Sequence, residues 1–417
     1  MEAKLNSHDL AILRRLADTK MRYAMEPVNL ERRQAWYNLD GGASWRPMVL
    51  AEFGGVNDDK RPLSLNVLEC QDEWARGFEW GLRAEIWQFE TLKDDHVIEP
   101  YMNTNWVVQT TDFGVERIEH RPDGIGMGAC SWEPALKNLD DDFLKLKQRS
   151  FAVDRDASLA KKERLEAVFA GILPVRLRGS YWWTLGMTIK AIDLIGLENL
   201  MLYMYDNPEG LHRLMSFLCD DHLAYARWLE AEGLLNLNNE NDYTGSGSIG
   251  YTRDLPQKDL SPGGRVRMKD QWVLLESQET VGVGPELFEE FIFPYQNRIA
   301  EQFGKCYYGC CEPVNNRWHI LKRISNLSRV SVSPWAKEEF MADACGTSIV
   351  YSRKPNPTQI STVHCDEAAI LDDLRRTVRT AAKCRLEIIM KDVHTLNNEP
   401  QRLARWVELA RQATAGD

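Results

Sequence analysis

The stretch GPELFEEFIFPYQNRIAEQFG, residues 284–304, runs directly into KCYYGCCEP, residues 305–313. The first part carries Pro285 near its start and Gly304 at its end, the positions these residues favour at helix termini. The second reads as a short buried strand, KCYYGC, giving way to a loop with the adjacent thiols Cys310 and Cys311 and then Glu312. A helix that closes straight onto an apolar strand belongs to a parallel sheet.

Working outward, the same alternation recurs. Strand-like runs occur at 172–179, 234–241, 271–278, 305–310, 328–334, 348–354 and 386–392, with PMVLAEF (47–53) as a candidate eighth. Helical patterns lie at 207–233, 284–304, 366–383 and 399–413. Parallel strands joined by right-handed crossovers make either a (β/α)8 TIM barrel or an open doubly wound sheet. No phosphate-binding glycine turn follows a first strand, and polar residues recur at strand ends, so the barrel is expected. Residues 1–150, with an amphipathic helix over 9–24, a helix over 71–92, a strand over 105–111 and many tryptophans, are expected to form an N-terminal α/β elaboration. Residues 151–417 would be the main part of the barrel, the whole forming a single compact domain.

The 417 residues are 44% hydrophobic and 27% charged, as in globular enzymes. A net charge of -11 argues against nucleic acid and anionic membrane surfaces as partners. No apolar run approaches the roughly 18 residues of a membrane span, and the N-terminus lacks a signal-peptide pattern. A cytoplasmic location is expected, with a homodimer among the expected assemblies. Nine cysteines, an odd and scattered set, make no disulfide framework. Cys70, Cys130, Cys219, Cys345 and Cys384 sit in apolar patterns and read as core thiols.

Barrel chemistry sits at the C-terminal ends of the strands. Those ends supply Arg176 and Arg178; Asn238, Asn239, Glu240 and Asp242; Gln278 and Glu279; Cys310, Cys311 and Glu312; Ser333; Arg353 and Lys354; and Lys391, Asp392 and His394. Cys310, Cys311, Glu279 and His394 are candidate metal ligands, since zinc takes thiolate, imidazole and carboxylate donors. Neighbouring side chains of an extended chain point apart, so both thiols can meet one ion only if the strand has ended. The competing reading makes them packed thiols or a redox-labile pair. Lys391 is expected to do no more than pair with Asp392. Glu279, Asp392 and Asn239 are the catalytic candidates; Trp182, Arg176 and Lys354 are the candidates for holding substrate, Trp182 and Trp183 as an aromatic wall or as core. GSGSIG (245–250) has the spelling of a dinucleotide loop but opens no helix, and is expected to be a mobile lid.

YGCCEP (308–313), SVSPW (331–335), YSRKPNP (351–357) and the MKDVHT and NEPQRLARW segment (390–406) resemble the uroporphyrinogen decarboxylase-like superfamily, as does LLESQETVGVGPELFEEFIFPY (274–295). More narrowly they resemble its corrinoid-dependent methyltransferase-like branch. The resemblance runs from about 170 to 410 and implies a (β/α)8 barrel. RRQAWYN (32–38) keeps only part of the decarboxylases' arginine segment. The methyltransferases' zinc is held by a His-x-Cys pair and a later Cys. Gly309-Cys310-Cys311 lacks that histidine, and Asp392 and His394 stand near the place of the later cysteine. The resemblance implies zinc-dependent transfer of a methyl group between a small methylated substrate and a corrinoid (cobalamin) on a partner protein. The alternatives are a decarboxylase or lyase using Arg176, Arg178 or Arg353 as carboxylate clamps, and a non-catalytic corrinoid- or tetrapyrrole-binding protein.

Overall fold

The computed structural model describes residues 5–121, 131–179 and 184–415. Eight short parallel strands frame the molecule: β1 (Met48–Ala51), β2 (Met102–Asn105), β3 (Val175–Arg178), β4 (Trp272–Leu275), β5 (Lys305–Tyr308), β6 (Leu327–Val332), β7 (Val350–Arg353) and β8 (Leu386–Met390). Six of them form one sheet in the order β1-β8-β7-β6-β5-β4, and among the described residues β2 pairs with β3 alone. β1, β4, β5, β7 and β8 are buried along their whole length, as parallel strands covered on both faces must be. The N-terminal third is therefore woven in, since β1 pairs with β8 and β2 with β3.

This sheet is strongly curled. A flat sheet of six strands spans about 24 Å between its edges. The two-stranded hairpin Tyr243–Gly245/Ser248–Ile249 nevertheless touches both edges from inside. A Cβ on Gly245 would overlap the Tyr307 ring of β5 and stand 2.9 Å from Leu274 of edge strand β4. A Cβ on Gly247 would stand 2.7 Å from Glu52, just beyond edge strand β1, and 2.8 Å from Ile389 of β8. Thr244, Ser246 and Ser248 are buried. GSGSIG is thus a plug inside the sheet, which corrects the expectation of a mobile lid.

Two further expectations fail for local reasons. Residues 234–241 hold no strand. Asn side chains there compete with the backbone for hydrogen bonds. Asn238 stands in for a strand partner at the β4 edge, accepting from Trp272 N at 2.8 Å and donating to Trp272 O at 3.1 Å. Asn236 accepts from Gly179 N at 2.6 Å, just beyond β3. At the opposite edge Asp95 serves β1 in the same way, its carboxylate accepting from Val49 N at 2.8 Å. The helix expected over 284–304 is two helices, Pro285–Phe291 and Phe293–Ala300, because Pro294 supplies no N–H to continue the first.

One large apolar cluster joins strands and outer helices, and a smaller one packs Ser7–Ala24 and Glu73–Trp87 on Arg155–Phe169. Among the described residues no helix is long and apolar enough to cross a membrane.

Candidate functional site: a thiol pair among lysines and buried acids

β5 ends at Tyr308, and Gly309, at φ +94°, turns the chain out of the strand into a conformation only glycine adopts freely. That turn lets adjacent side chains meet, and the Sγ atoms of Cys310 and Cys311 lie 3.6 Å apart as free thiols. The turn is pinned from three sides. Glu312, fully buried, accepts from Ser277 N and Cys310 N, both at 2.9 Å. Ser331 Oγ donates to Cys310 O at 2.7 Å, and Gly309 N donates to Leu275 O. Glu312 is thus a brace between the loops after β4 and β5.

Lys391, just past β8, reaches Cys310 Sγ at 3.5 Å and Asp392 Oδ2 at 3.1 Å. Cys311 Sγ lies 3.6 Å from the same Asp392 Oδ2, and Ser246 Oγ of the plug lies 3.9 Å from Cys310 Sγ. The pair shares one proton unevenly. The Cys311 thiol, and then the Lys391 ammonium, pull Cys310 down to about 7 against the cost of burial. Cys311 is pushed far up by donating to Cys310. Burial works against the charge on Lys391, yet both thiols and Asp392 hold it above the ordinary lysine range. The result is a Cys310 sulfur, set between a thiol and an ammonium, that ionises more readily than an ordinary thiol.

Around this centre lie groups of opposite bias. Lys354, 3% exposed, is brought down to about 7 chiefly by burial. Glu276, fully buried, is raised to about 9 by burial and then by Glu312 and Glu279. Cys311 floors a cleft of about 520 Å³ walled by Gln278, Glu279, Val281, Pro313 and Trp335. Trp335 is 68% exposed there, an apolar wall open to a ligand.

The expected site residues divide on this geometry. Cys310, Cys311 and Asp392 come together, Lys354 lies buried within electrostatic reach of Cys310, and Glu279, bonded by Thr188 Oγ1 at 2.6 Å, lines the cleft with Cys311. His394 is exposed on a loop beside Gly55, with no bond to the thiols or Glu279 among the described residues. Asn239 supports the chain instead, donating to Leu255 O at 2.8 Å. Arg176 packs over the Tyr101 ring and pairs with Glu240, Arg178 pairs with Asp242, and buried Arg353 pairs with Glu338. Trp182 and Trp183 lie outside the described residues. Sequence reasoning missed Lys391 as a partner of the thiols, and it missed Glu276, Ser246 and Trp335. The signal for Lys391 was its place directly after a buried strand, on the same rim as the cysteines.

Among the described residues no three His, Cys, Asp or Glu side chains gather so as to hold a metal ion. Cys310, Cys311 and Asp392 come nearest, but the Lys391 ammonium stands against both Cys310 and Asp392. A dication placed there would meet that positive charge, so the side chains as arranged do not fit zinc.

No protein-family model matches the chain, and no curated protein sequence does. Among solved structures, a methyltransferase from Methanosarcina mazei aligns over 91% of this chain and 98% of its own, with 10% identity and a TM-score of 0.48. A likeness of that degree carries no argument about activity.

Proposed function

We propose that the chain is a (β/α)8-barrel methyltransferase whose centre is the Cys310–Cys311 pair. It would move a methyl group between a small O-, N- or S-methylated substrate and a corrinoid carried by a partner protein. Barrel closure is supported by the curl of the six strands around the plug and by side-chain bridges at both sheet edges. Methyl transfer is supported by the resemblance of YGCCEP, SVSPW, YSRKPNP and MKDVHT to corrinoid-dependent methyltransferases. The observation that carries the reading is the Cys310 sulfur 3.5 Å from the Lys391 ammonium where the strands end, its neighbour Cys311 lining an apolar-walled cleft.

In-line displacement suits that arrangement. In the thiol-accepting direction the lone pair of the bound substrate's thiolate would form the bond to the methyl carbon, and the group that carried the methyl would leave with the electron pair of the broken bond. Lys391 stabilises a thiolate, Trp335 and Val281 present apolar surface to the methyl group, and Glu276, kept protonated by burial, adds no negative charge beside the sulfur. The corrinoid would supply a cobalt able to accept or donate the methyl. Zinc would supply Lewis acidity, and with the present side chains it enters only if Lys391 withdraws. The decarboxylase alternative has less support, because Arg176, Arg178 and Arg353 are each engaged with a carboxylate.

The test mixes purified protein, methylcobalamin and 2-mercaptoethanol and follows loss of the methyl–cobalt absorbance, with the reverse run from methylthioethanol to Co(I) cobalamin. Wild type should accelerate one direction and Cys310→Ser should fall to background. No acceleration in either direction would sink the reading. Metal analysis of the same sample decides the zinc component: one zinc per chain, lost in Cys310→Ser, supports it, and an active metal-free chain removes it.

A further inference from the structure

Successive side chains of an extended chain point to opposite faces, so adjacent cysteines in a strand cannot meet. Here they do. Gly309, at φ +94°, ends the strand, and the two Sγ atoms beyond it stand 3.6 Å apart as free thiols in hydrogen-bond contact. The two halves of the pair are unequal. Cys310 is buried and anchored through its backbone, its N–H donating to Glu312 at 2.9 Å and its carbonyl accepting from Ser331 Oγ at 2.7 Å. Its sulfur lies 3.5 Å from the Lys391 ammonium. Cys311 is exposed and lines the cleft beside Trp335.

A cationic neighbour makes a sulfur a better nucleophile, and a second thiol in contact can resolve what the first one forms. Those two features together are what let a cysteine oxidise reversibly and not onward to its higher acids. The methyl-transfer reading gives no chemical task to the contact between the two sulfurs.

We propose that Cys310 and Cys311 form a site of reversible oxidation, closing to a vicinal disulfide when a hydroperoxide reaches the cleft. The Cys310 sulfur takes the terminal oxygen of the hydroperoxide and the O–O bond breaks. The thiol's proton leaves on the other oxygen, as water or an alcohol. The Cys311 sulfur then attacks the Cys310 sulfenic acid, the S–S bond forms, the S–O bond breaks, and the hydroxyl departs as water with the Cys311 proton. Two thiols have given two electrons to one peroxide. Closure brings the sulfurs from 3.6 Å to about 2.0 Å. Cys310 is held at its N–H and its carbonyl, so the movement falls to Cys311. The bridge removes the Cys310 charge from Lys391 and the free thiol from the cleft. The centre then stays off until a dithiol exchanges with the bond and is itself oxidised. None of this depends on which reaction the reduced centre performs.

The test treats the reduced, full-length protein with a small excess of hydrogen peroxide, unfolds it in iodoacetamide and reads the tryptic peptide 306–317 by mass spectrometry. That peptide carries Cys306, Cys310 and Cys311. Expected is a single alkyl group, on Cys306, with Cys310 and Cys311 bridged to each other and both alkylated once dithiothreitol is added before the iodoacetamide. Alkylation of all three without dithiothreitol, a sulfinic or sulfonic acid at either position, or a bridge to Cys306 or to a second chain overturns the proposal. That reading needs no variant to fold and no substrate, so it is decided apart from the methyl-transfer assay. Two variants, checked by their thermal transitions, test the order of the steps. Cys311→Ser should stop at a Cys310 sulfenic acid that dimedone traps, and Lys391→Met should form the bridge roughly 10-fold more slowly at pH 7. No dimedone adduct in the first, or an unchanged rate in the second, overturns Cys310 as the attacking sulfur.

Discussion

Glu276 lies wholly inside the protein, with Glu312 and Glu279 as neighbours, and its carboxyl is raised to about 9 from an ordinary 4.5. The folded chain therefore keeps a proton that the unfolded chain has lost between those two values. Stability falls as pH rises through that window, by at most about 1.4 kcal/mol per pH unit. Glu276→Gln keeps the shape and removes the dependence. Its gain in melting temperature over wild type should be larger at pH 8 than at pH 5 by calorimetry, and equal gains would contradict the burial argument. The acid was hidden in the sequence because QWVLLESQ reads as a strand with a polar end, and nothing in that spelling says that Glu276 faces inward while Glu279 lines a cleft. Cys310 and Cys311 were legible as a candidate site because adjacent thiols past a buried strand have few structural uses. Their partner Lys391 was not, because its reach to Cys310 depends on two strand ends separated by most of the sheet.

At the scale of elements, periodicity located most strands to within a few residues and failed where side chains replaced backbone. Residues 234–241 have strand-like alternation of Leu and Asn, yet the amides of Asn236 and Asn238 take the bonds a ladder would have made. Asn238→Leu leaves Trp272 N and O unpartnered and should cost about 2–5 kcal/mol in denaturant unfolding; a cost under about 0.5 kcal/mol would show that the amide is dispensable. The plug over 243–249 was misread because glycine and serine are also the residues of mobile loops. Its glycines serve close approach instead, and Gly245→Ala would drive a methyl group into the Tyr307 ring. That substitution should lower stability by about 1–3 kcal/mol or more. Backbone amides of the plug should exchange with deuterium as slowly as those of β8, whereas exchange within seconds would restore the lid.

At the scale of the molecule, the N-terminal third is a structural part of the sheet system. β1 covers the edge of β8 and β2 the edge of β3. A chain beginning at residue 151 would leave both edges bare, and it should show no cooperative thermal transition; a sharp transition would mark 151–417 as an independent domain. The alternation of strands and helices was readable because parallel strands buried on both faces are spelled as apolar runs. The curl of the sheet was not, since it depends on what fills its interior. The centre occupies the end of that curled sheet where β1, β4, β5, β7 and β8 deliver Glu52, Glu276, Cys310, Lys354 and Lys391. The most direct measurement is the rate of Cys310 alkylation by iodoacetamide across pH, read by peptide mass spectrometry in wild type and Lys391→Met after dialysis against a chelator. Wild type should show a midpoint near 7, moved upward by about one unit or more when the ammonium is removed. A wild-type midpoint at or above the ordinary thiol range of about 8.5, or one indifferent to Lys391, would contradict a lysine-poised thiolate at this centre.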